Sequence, residues 1–133
     1  LDSINFKESY FNFLQDIALS FPQKVGYYSR GQNEESLSSC MNLPFAGLGY
    51  DYSIKLSTMF KKQKTGFIQG NFNEQFILQD TQSFQEHLKD YIQEMKSIED
   101  TNGWVCGLGH GINKDTPEKN VHIFIENIRK EFS

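Results

Sequence analysis

The sequence predicts a single α/β domain built on a parallel β-sheet. Short segments rich in β-branched and aromatic residues alternate with segments whose apolar residues recur every three or four positions. Strands joined through helices run parallel, because the crossover brings the chain back to the same end of the sheet. A length of 133 residues, 38% of them hydrophobic, suits one core, so we assign one domain to residues 1–133.

The chain opens with an amphipathic helix, which we predict over about residues 5–20. Apolar side chains recur at helical spacing from Phe6 to Phe21, and Pro22 ends the pattern. Candidate strands then follow, each short, β-rich and bounded mainly by glycine or proline. They cover residues 24–28, 45–50, 65–69 and 103–107.

Further helices fit between and after these strands. Weaker helical patterns cover residues 35–41 and 54–62, and a stronger apolar stripe runs from Phe84 to Ile98, with Ser83 and Glu86 as its predicted capping box. The stripe of the last helix consists of Val121, Phe124, Ile125, Ile128 and Phe132. For that helix we predict Thr116 as the N-cap and Pro117 as the first helical residue. Such alternation fits either a small open sheet or part of a closed barrel.

Composition excludes several classes of function. A net charge of −4 without a basic stripe disfavours nucleic-acid binding. No run approaches the roughly 20 apolar residues of a membrane span, and no secretory leader is evident, so we expect a cytoplasmic protein. Cys40 and Cys106 are then expected as reduced thiols rather than a disulfide. The start at Leu1, almost directly in a helical pattern, suggests part of a larger protein.

The strongest candidate site is the glycine-rich loop 107–111, which follows the fourth predicted strand. In parallel α/β folds the carboxyl ends of the strands build the active site, and glycines allow close approach to a ligand. His110 would therefore face a pocket, where an imidazole can move a proton or bind an anion. The alternative is a structural loop histidine. The glycine spacing and the late helix start disfavour a dinucleotide-binding loop.

Polar residues follow the other predicted strands as well. Arg30 follows the first strand and can bind an anion or simply be solvated, whereas Asp51 follows the second and can line a pocket or cap a turn. Asn71, after the third strand, can orient a ligand or cap a turn. A metal site is not expected, because His87 and His122 lie on predicted helices, and Cys40 and Cys106 have no ligand-spaced neighbours.

Several of these segments resemble the C-terminal part of uroporphyrinogen decarboxylases. The family patterns are QGNLDP and NLGHGxxPDTPxENV, and the corresponding segments here are residues 69–72, 107–112, 115–117 and 120–121. Upstream, Tyr28-Ser29-Arg30-Gly31 is similar to F-[AST]-K-G, and residues 49–54 are similar to GLDWTV. The resemblance covers nearly the whole chain. Departures from the pattern are Arg30 for Lys, Tyr52 for Trp, Asn73 and Glu74 for Asp-Pro, and Gly107 for Asn.

The resemblance implies a (β/α)8 TIM-type barrel, of which this chain would form the C-terminal part with about four strands. It implies removal of the four acetate carboxylates of uroporphyrinogen III to give coproporphyrinogen III in haem biosynthesis, by a homodimeric enzyme without metal or organic cofactor. His110 would bind substrate and handle protons, with Gly109, Gly111, Arg30 and Asn71 as further substrate contacts. Because the family's arginine-rich N-terminal motif has no counterpart here, we expect the isolated chain to be inactive.

Two other functions remain as alternatives. Zinc-dependent, cobalamin-linked methyltransferases of the same superfamily resemble this sequence in the last loop. They place a zinc-binding cysteine at the position of His110, however, and an HxC pair near residues 28–31. Residues 28–31 contain neither His nor Cys, so the zinc ligands cannot be assembled. A divergent, non-catalytic binding module is the second alternative.

Overall fold

The computed structural model describes residues 10–133, in which four parallel strands alternate with six helices. The strands β1 to β4 span Gly26–Tyr28, Gly47–Gly49, Phe67–Gln69 and Trp104–Val105. The helices α1 to α6 span Asn12–Ser20, Glu34–Met41, Leu56–Lys62, Glu74–Ile77, Thr81–Lys96 and Glu118–Phe132. Sheet order follows chain order, β1-β2-β3-β4, with every neighbouring pair parallel. The predicted α/β fold with four parallel strands is confirmed.

Two predicted helix starts are wrong. The side chain of Asp80, not Ser83, caps α5, because its Oδ1 accepts hydrogen bonds from the backbone N–H groups of Gln82 and Ser83 at 3.1 Å each. Helix α6 begins at Glu118, since Pro117 keeps an extended ψ of 123° and takes the N-cap position predicted for Thr116. The predicted first helix is observed from Asn12 to Ser20, and its residues 5–9 lie outside the described part.

One face of the sheet packs against the helices. The strand register places Tyr27, Leu48, Ile68 and Trp104 in one row across the four strands. Leu48 and Ile68 are buried in this row, where they join a core cluster with side chains from the surrounding helices. The helical members of that cluster are Ala18 of α1, Leu37 and Cys40 of α2, Leu56 and Met59 of α3, and Met95 of α5. Burial of this row provides the main hydrophobic core.

The opposite face of the sheet is much more open. Successive side chains of a strand point to opposite faces, so the next row, from Tyr28 through Gly49 and Gln69 to Val105, faces away from that core. Tyr28 and Val105 are 43% and 46% exposed. An open doubly wound sheet would be covered by helices on both faces, whereas a section of a barrel carries helices outside only. The structure therefore favours a section of a barrel over a small open sheet. The sequence pattern alone did not distinguish these two architectures.

Helices α4, α5 and α6 form a second core cluster beside the sheet. Its centre is Phe72, whose ring lies 5.3 Å from the rings of both Tyr91 and Phe124. Asn120, which is fully buried, donates from Nδ2 to the carbonyls of Ile77 and Gln79 at 3.0 and 2.8 Å. These bonds attach the start of α6 to the segment between α4 and α5. They also fix the far end of the loop that carries His110.

Candidate active site at the carboxyl ends of the strands

A cavity of about 390 Å³ opens where the strands end, on the face of the sheet away from the helices. The strands contribute Tyr28, Gly49 and Gln69 to its wall, and the loop after β4 contributes residues 108–111. Carboxyl ends of parallel strands are the usual position of a ligand site in α/β proteins. The structure thus brings His110, Gly109 and Gly111 of the sequence-predicted set into one cavity.

His110 contacts a residue that sequence reasoning did not assign to the site. The hydroxyl of Tyr28 lies 3.2 Å from Nδ1 of His110 and donates a hydrogen bond to the carbonyl of Gly109 at 2.8 Å. The two rings are nearly parallel, at 20°, with centroids 6.4 Å apart. The phenol ring itself lies over Gly49, where a Cβ would come within 3.1 Å of it. Tyr28 therefore connects the first strand to the last loop.

Gly109 is the tightest point of that loop. A Cβ at this position would lie 2.6 Å from the backbone nitrogen of Tyr52, whereas a Cβ at Gly107 or Gly111 would meet nothing within 4 Å. The amide of Gly109 donates to the carbonyl of Phe72 at 2.7 Å. Its N–H is thus already used within the fold, and the absence of a side chain lets the loop pack against the turn after β2. The predicted contact of Gly109 with substrate stays a prediction.

Asp51 organises the turn after β2. Its carboxylate accepts hydrogen bonds from the backbone N–H of Gly31 at 2.5 Å and of Ser53 at 2.8 Å, and also from the Ser53 hydroxyl. Burial alone would raise the pKa of Asp51, but these hydrogen bonds and the charge of Arg30 outweigh it and lower that pKa. The carboxylate therefore stays ionised and ties the turn after β1 to the turn after β2.

Arg30 lies beside this turn with its side chain 49% exposed. One guanidinium nitrogen, Nη2, lies 3.3 Å from Oε1 of Glu74, whose side chain is only 4% exposed. The second carboxylate oxygen of Glu74 is buried and has no hydrogen-bond partner among the described residues. The Arg30 guanidinium is thus paired with a buried carboxylate, while about half of the arginine side chain remains exposed to solvent.

Asn71 is buried and serves the backbone. Its Nδ2 donates to the carbonyls of Asp51 and Ile54 at 2.8 and 2.5 Å, and its own amide donates to the hydroxyl of Tyr91. It borders a separate hollow of about 540 Å³ rather than the cavity that contains His110. Asn71 therefore does not share a cavity with His110, although its backbone carbonyl lies beside Gly109.

Comparison with known proteins agrees with this arrangement. The family model described as uroporphyrinogen decarboxylase (URO-D) matches residues 1–131. The chain belongs to the URO-D family. Two of the segments that carry the family pattern, residues 69–72 and 107–112, lie side by side here, because Phe72 and Leu108 form a parallel β-bridge.

Curated relatives named uroporphyrinogen decarboxylase are similar to the chain over part of their length. The protein from Hydrogenobaculum sp. (strain Y04AAS1) is 25% identical over 98% of this chain and 38% of its own length. That from Orientia tsutsugamushi (strain Ikeda) is 33% identical over 65% of the chain and 25% of its own length. A third, from Francisella tularensis subsp. novicida (strain U112), is 27% identical over 97% and 38%. The chain thus spans less than two fifths of these URO-D relatives.

Two departures from the URO-D pattern meet in the structure. Arg30 replaces the usual lysine and Glu74 the usual proline, and these are the two residues that form the ion pair described above. A proline at position 74 would offer no carboxylate, and a guanidinium is bulkier and more planar than an ammonium group. The two departures therefore form one ion pair, although they lie 44 positions apart.

Nothing in the described part of this URO-D chain resembles a metal centre. Within residues 10–133 no three His, Cys, Asp or Glu side chains lie close enough together to hold a metal ion. Burial raises the pKa of Cys40 to about 11 and that of Cys106 to about 12, so both are neutral thiols near pH 7. No helix in the described part of the chain is long and apolar enough to cross a membrane.

Sequence reasoning missed three side chains that support the site. Tyr91 donates from its hydroxyl to the carbonyl of Gly70 at 3.0 Å, and the indole N–H of Trp104 donates to the same oxygen at 2.8 Å. Tyr28 is the third. Tyr91 lies on the apolar stripe of α5, where a hydroxyl needs a partner once it is buried. The sequence therefore indicated that the Tyr91 hydroxyl would need a hydrogen-bond partner, but which group serves as that partner depends on the fold.

Proposed function

We propose that this chain, as domain 1–133, forms the C-terminal part of a (β/α)8 barrel in a uroporphyrinogen decarboxylase. The complete protein would remove the four acetate carboxylates of uroporphyrinogen III to give coproporphyrinogen III, as a cytoplasmic homodimer. The observation that carries the proposal is the cavity at the strand ends, which contains His110 in a chain of the URO-D family. The names of the curated relatives supply the substrate.

The proposed substrate is polyanionic, so the site must offer cations and hydrogen-bond donors. His110 lines the cavity, and Arg30 keeps half of its side chain exposed near the same strand ends. The amide of Gly111 is the proposed backbone contact to a carboxylate. Asn71 acts indirectly, because its amide group holds the turn that contains Asp51.

The reaction can be written without a metal or an organic cofactor. Protonation of a pyrrole ring creates an electron sink, the bond between the acetate methylene and its carboxyl carbon breaks, and CO₂ leaves while the electron pair moves into the ring. A proton then adds to the methylene carbon and gives a methyl group, and loss of a ring proton restores the pyrrole. We assign His110 to carboxylate binding and to one of these proton transfers.

The rest of the barrel must complete the site. The first and last strands, β1 and β4, lie at the two edges of the described sheet, and in a closed barrel they would pair with strands from the remaining chain. The exposed row that includes Tyr28 and Val105 would then face the barrel interior. The isolated chain is therefore expected to be inactive.

The test is uroporphyrinogen decarboxylation by the complete protein, wild type against His110→Ala. His122→Ala is the matched control, because it removes an exposed histidine on α6 that does not line the cavity. We expect metal-independent turnover, a loss of roughly 10²- to 10⁴-fold in kcat/KM for His110→Ala, and no loss for the control. If the wild type showed no turnover, either with added zinc or with chelator, the decarboxylase assignment would be contradicted and a binding module favoured.

A further inference from the structure

The Tyr28 hydroxyl has two neighbours but only one hydrogen. It lies 2.8 Å from the carbonyl oxygen of Gly109 and 3.2 Å from Nδ1 of His110. A carbonyl oxygen can only accept, so the shorter contact uses the phenolic hydrogen. Burial raises the pKa of Tyr28, and the nearby Asp51 carboxylate raises it further, so the hydroxyl carries that hydrogen at neutral pH.

The second contact then fixes the protonation pattern of the histidine. The phenol oxygen, having donated its hydrogen to Gly109, can only accept from His110. Nδ1 of the imidazole must therefore carry a hydrogen, which leaves Nε2 as the nitrogen that can engage a ligand. In a neutral imidazole the hydrogen bond made by one nitrogen sets the state of the other.

We propose that Tyr28 is a positioning residue that holds His110 as the Nδ1-protonated tautomer and so presents Nε2 to a substrate carboxylate or a transferable proton. A neutral imidazole in this form accepts a proton at Nε2, and an imidazolium donates one from it. The identity of the substrate rests on the proposed function, whereas the assignment of the tautomer rests only on the contacts of Tyr28.

Packing supports the role. The ring of Tyr28 lies over Gly49, where a Cβ would be 3.1 Å from the ring, and it is nearly parallel to the His110 imidazole. The URO-D pattern has Phe at this position. A phenylalanine keeps the ring but cannot accept a hydrogen bond from Nδ1. Tyr28→Phe is therefore a conservative change that keeps the ring and removes both contacts of the hydroxyl, the one with Nδ1 of His110 and the hydrogen bond to the Gly109 carbonyl.

The experiment is ¹⁵N NMR of the complete protein labelled at histidine, under alkaline conditions that leave imidazoles neutral. The His110 signals are identified by their absence from His110→Gln. We expect protonation at Nδ1 in the wild type and a mixture with the Nε2-protonated form in Tyr28→Phe. Tyr52→Phe is the control, since Tyr52 is similarly exposed but borders the other hollow. Protonation at Nε2 in the wild type, or identical spectra for wild type and Tyr28→Phe, would overturn the proposal.

Turnover provides the second readout. If the proposed function holds, Tyr28→Phe lowers kcat/KM for uroporphyrinogen roughly two- to tenfold, the size of one hydrogen bond. An unchanged kcat/KM in an active enzyme would refute a catalytic consequence of the tautomer. If the wild type has no decarboxylase activity but the NMR result is as expected, the proposed function fails while the assignment of Tyr28 stands.

Discussion

Gly109→Ala would test how tightly the fold positions the histidine loop. An added Cβ would lie 2.6 Å from the backbone nitrogen of Tyr52, 3.2 Å from the carbonyl carbon of Asp51 and 3.3 Å from the carbonyl oxygen of Asn71. All three atoms belong to the backbone, so no side chain can rotate away. Either the loop that carries His110 or the turn after β2 must move.

The required shift can be read from the distances. Ordinary van der Waals contact of a Cβ begins near 3.4 Å, so the approach to Tyr52 is too close by about 0.8 Å. Overpacking of this kind costs about 1–3 kcal/mol of unfolding free energy. A displacement of about 1 Å at a catalytic group can also reduce turnover by roughly 100-fold. A 100-fold loss corresponds to about 2.7 kcal/mol of activation free energy, so we expect Gly109→Ala to lower activity and stability by comparable amounts.

Urea unfolding and uroporphyrinogen turnover of the complete protein measure the two effects. Gly107→Ala is the matched control, because a Cβ there meets nothing within 4 Å and the family pattern has Asn at that position. It should leave both quantities within the error of the wild type. If Gly109→Ala were as stable and as active as Gly107→Ala, the close packing of this loop would be refuted.

Two further changes test the supports around the site. Asn120→Asp would place a carboxylate against the carbonyls of Ile77 and Gln79, so we expect a loss of about 3 kcal/mol in urea unfolding. Asn127→Asp on the same helix is the control, because Asn127 is only half-buried and its amide has one carbonyl partner, that of Ile123. We expect a smaller loss there, and an equal loss would contradict the argument. Asp51→Asn removes a carboxylate whose pKa is lowered by folding. Its stabilisation is fully present above the unfolded pKa of about 4 and disappears as pH falls through the lower folded pKa. The gap in unfolding free energy between wild type and Asp51→Asn, about 2 kcal/mol at pH 7, should therefore narrow in acid, and a gap that stays constant would contradict the assignment.

Much of the fold could be predicted from local pattern. Amphipathic spacing identified the helices, because residues three and four apart share a helix face whatever surrounds them. The helix starts could not be predicted in the same way, since capping depends on which of several polar residues adopts the extended conformation. At α5 the prediction was Ser83, whereas the structure has Asp80 as the cap.

The candidate site was predictable in part. The glycine-rich loop after the fourth strand indicated His110, and the structure places it in a cavity at the strand ends. The sequence could not predict which acceptors the backbone N–H of Gly109 and the side-chain amide of Asn71 would use, because both donate to carbonyls of distant segments. Sequence shows which groups can donate, whereas the fold decides which acceptor reaches them first.

The order of the elements, the helix faces, the loop that carries His110 and the resemblance to the URO-D family could all be read from the sequence. The folded structure was needed to show that one sheet face is open, that Arg30 pairs with Glu74, and that Tyr28 contacts His110, 82 positions away. This division follows from the range of the interactions. Helical and strand periodicity is set between neighbours along the chain, whereas these contacts depend on strand register, which brings residues together only after the crossovers have formed.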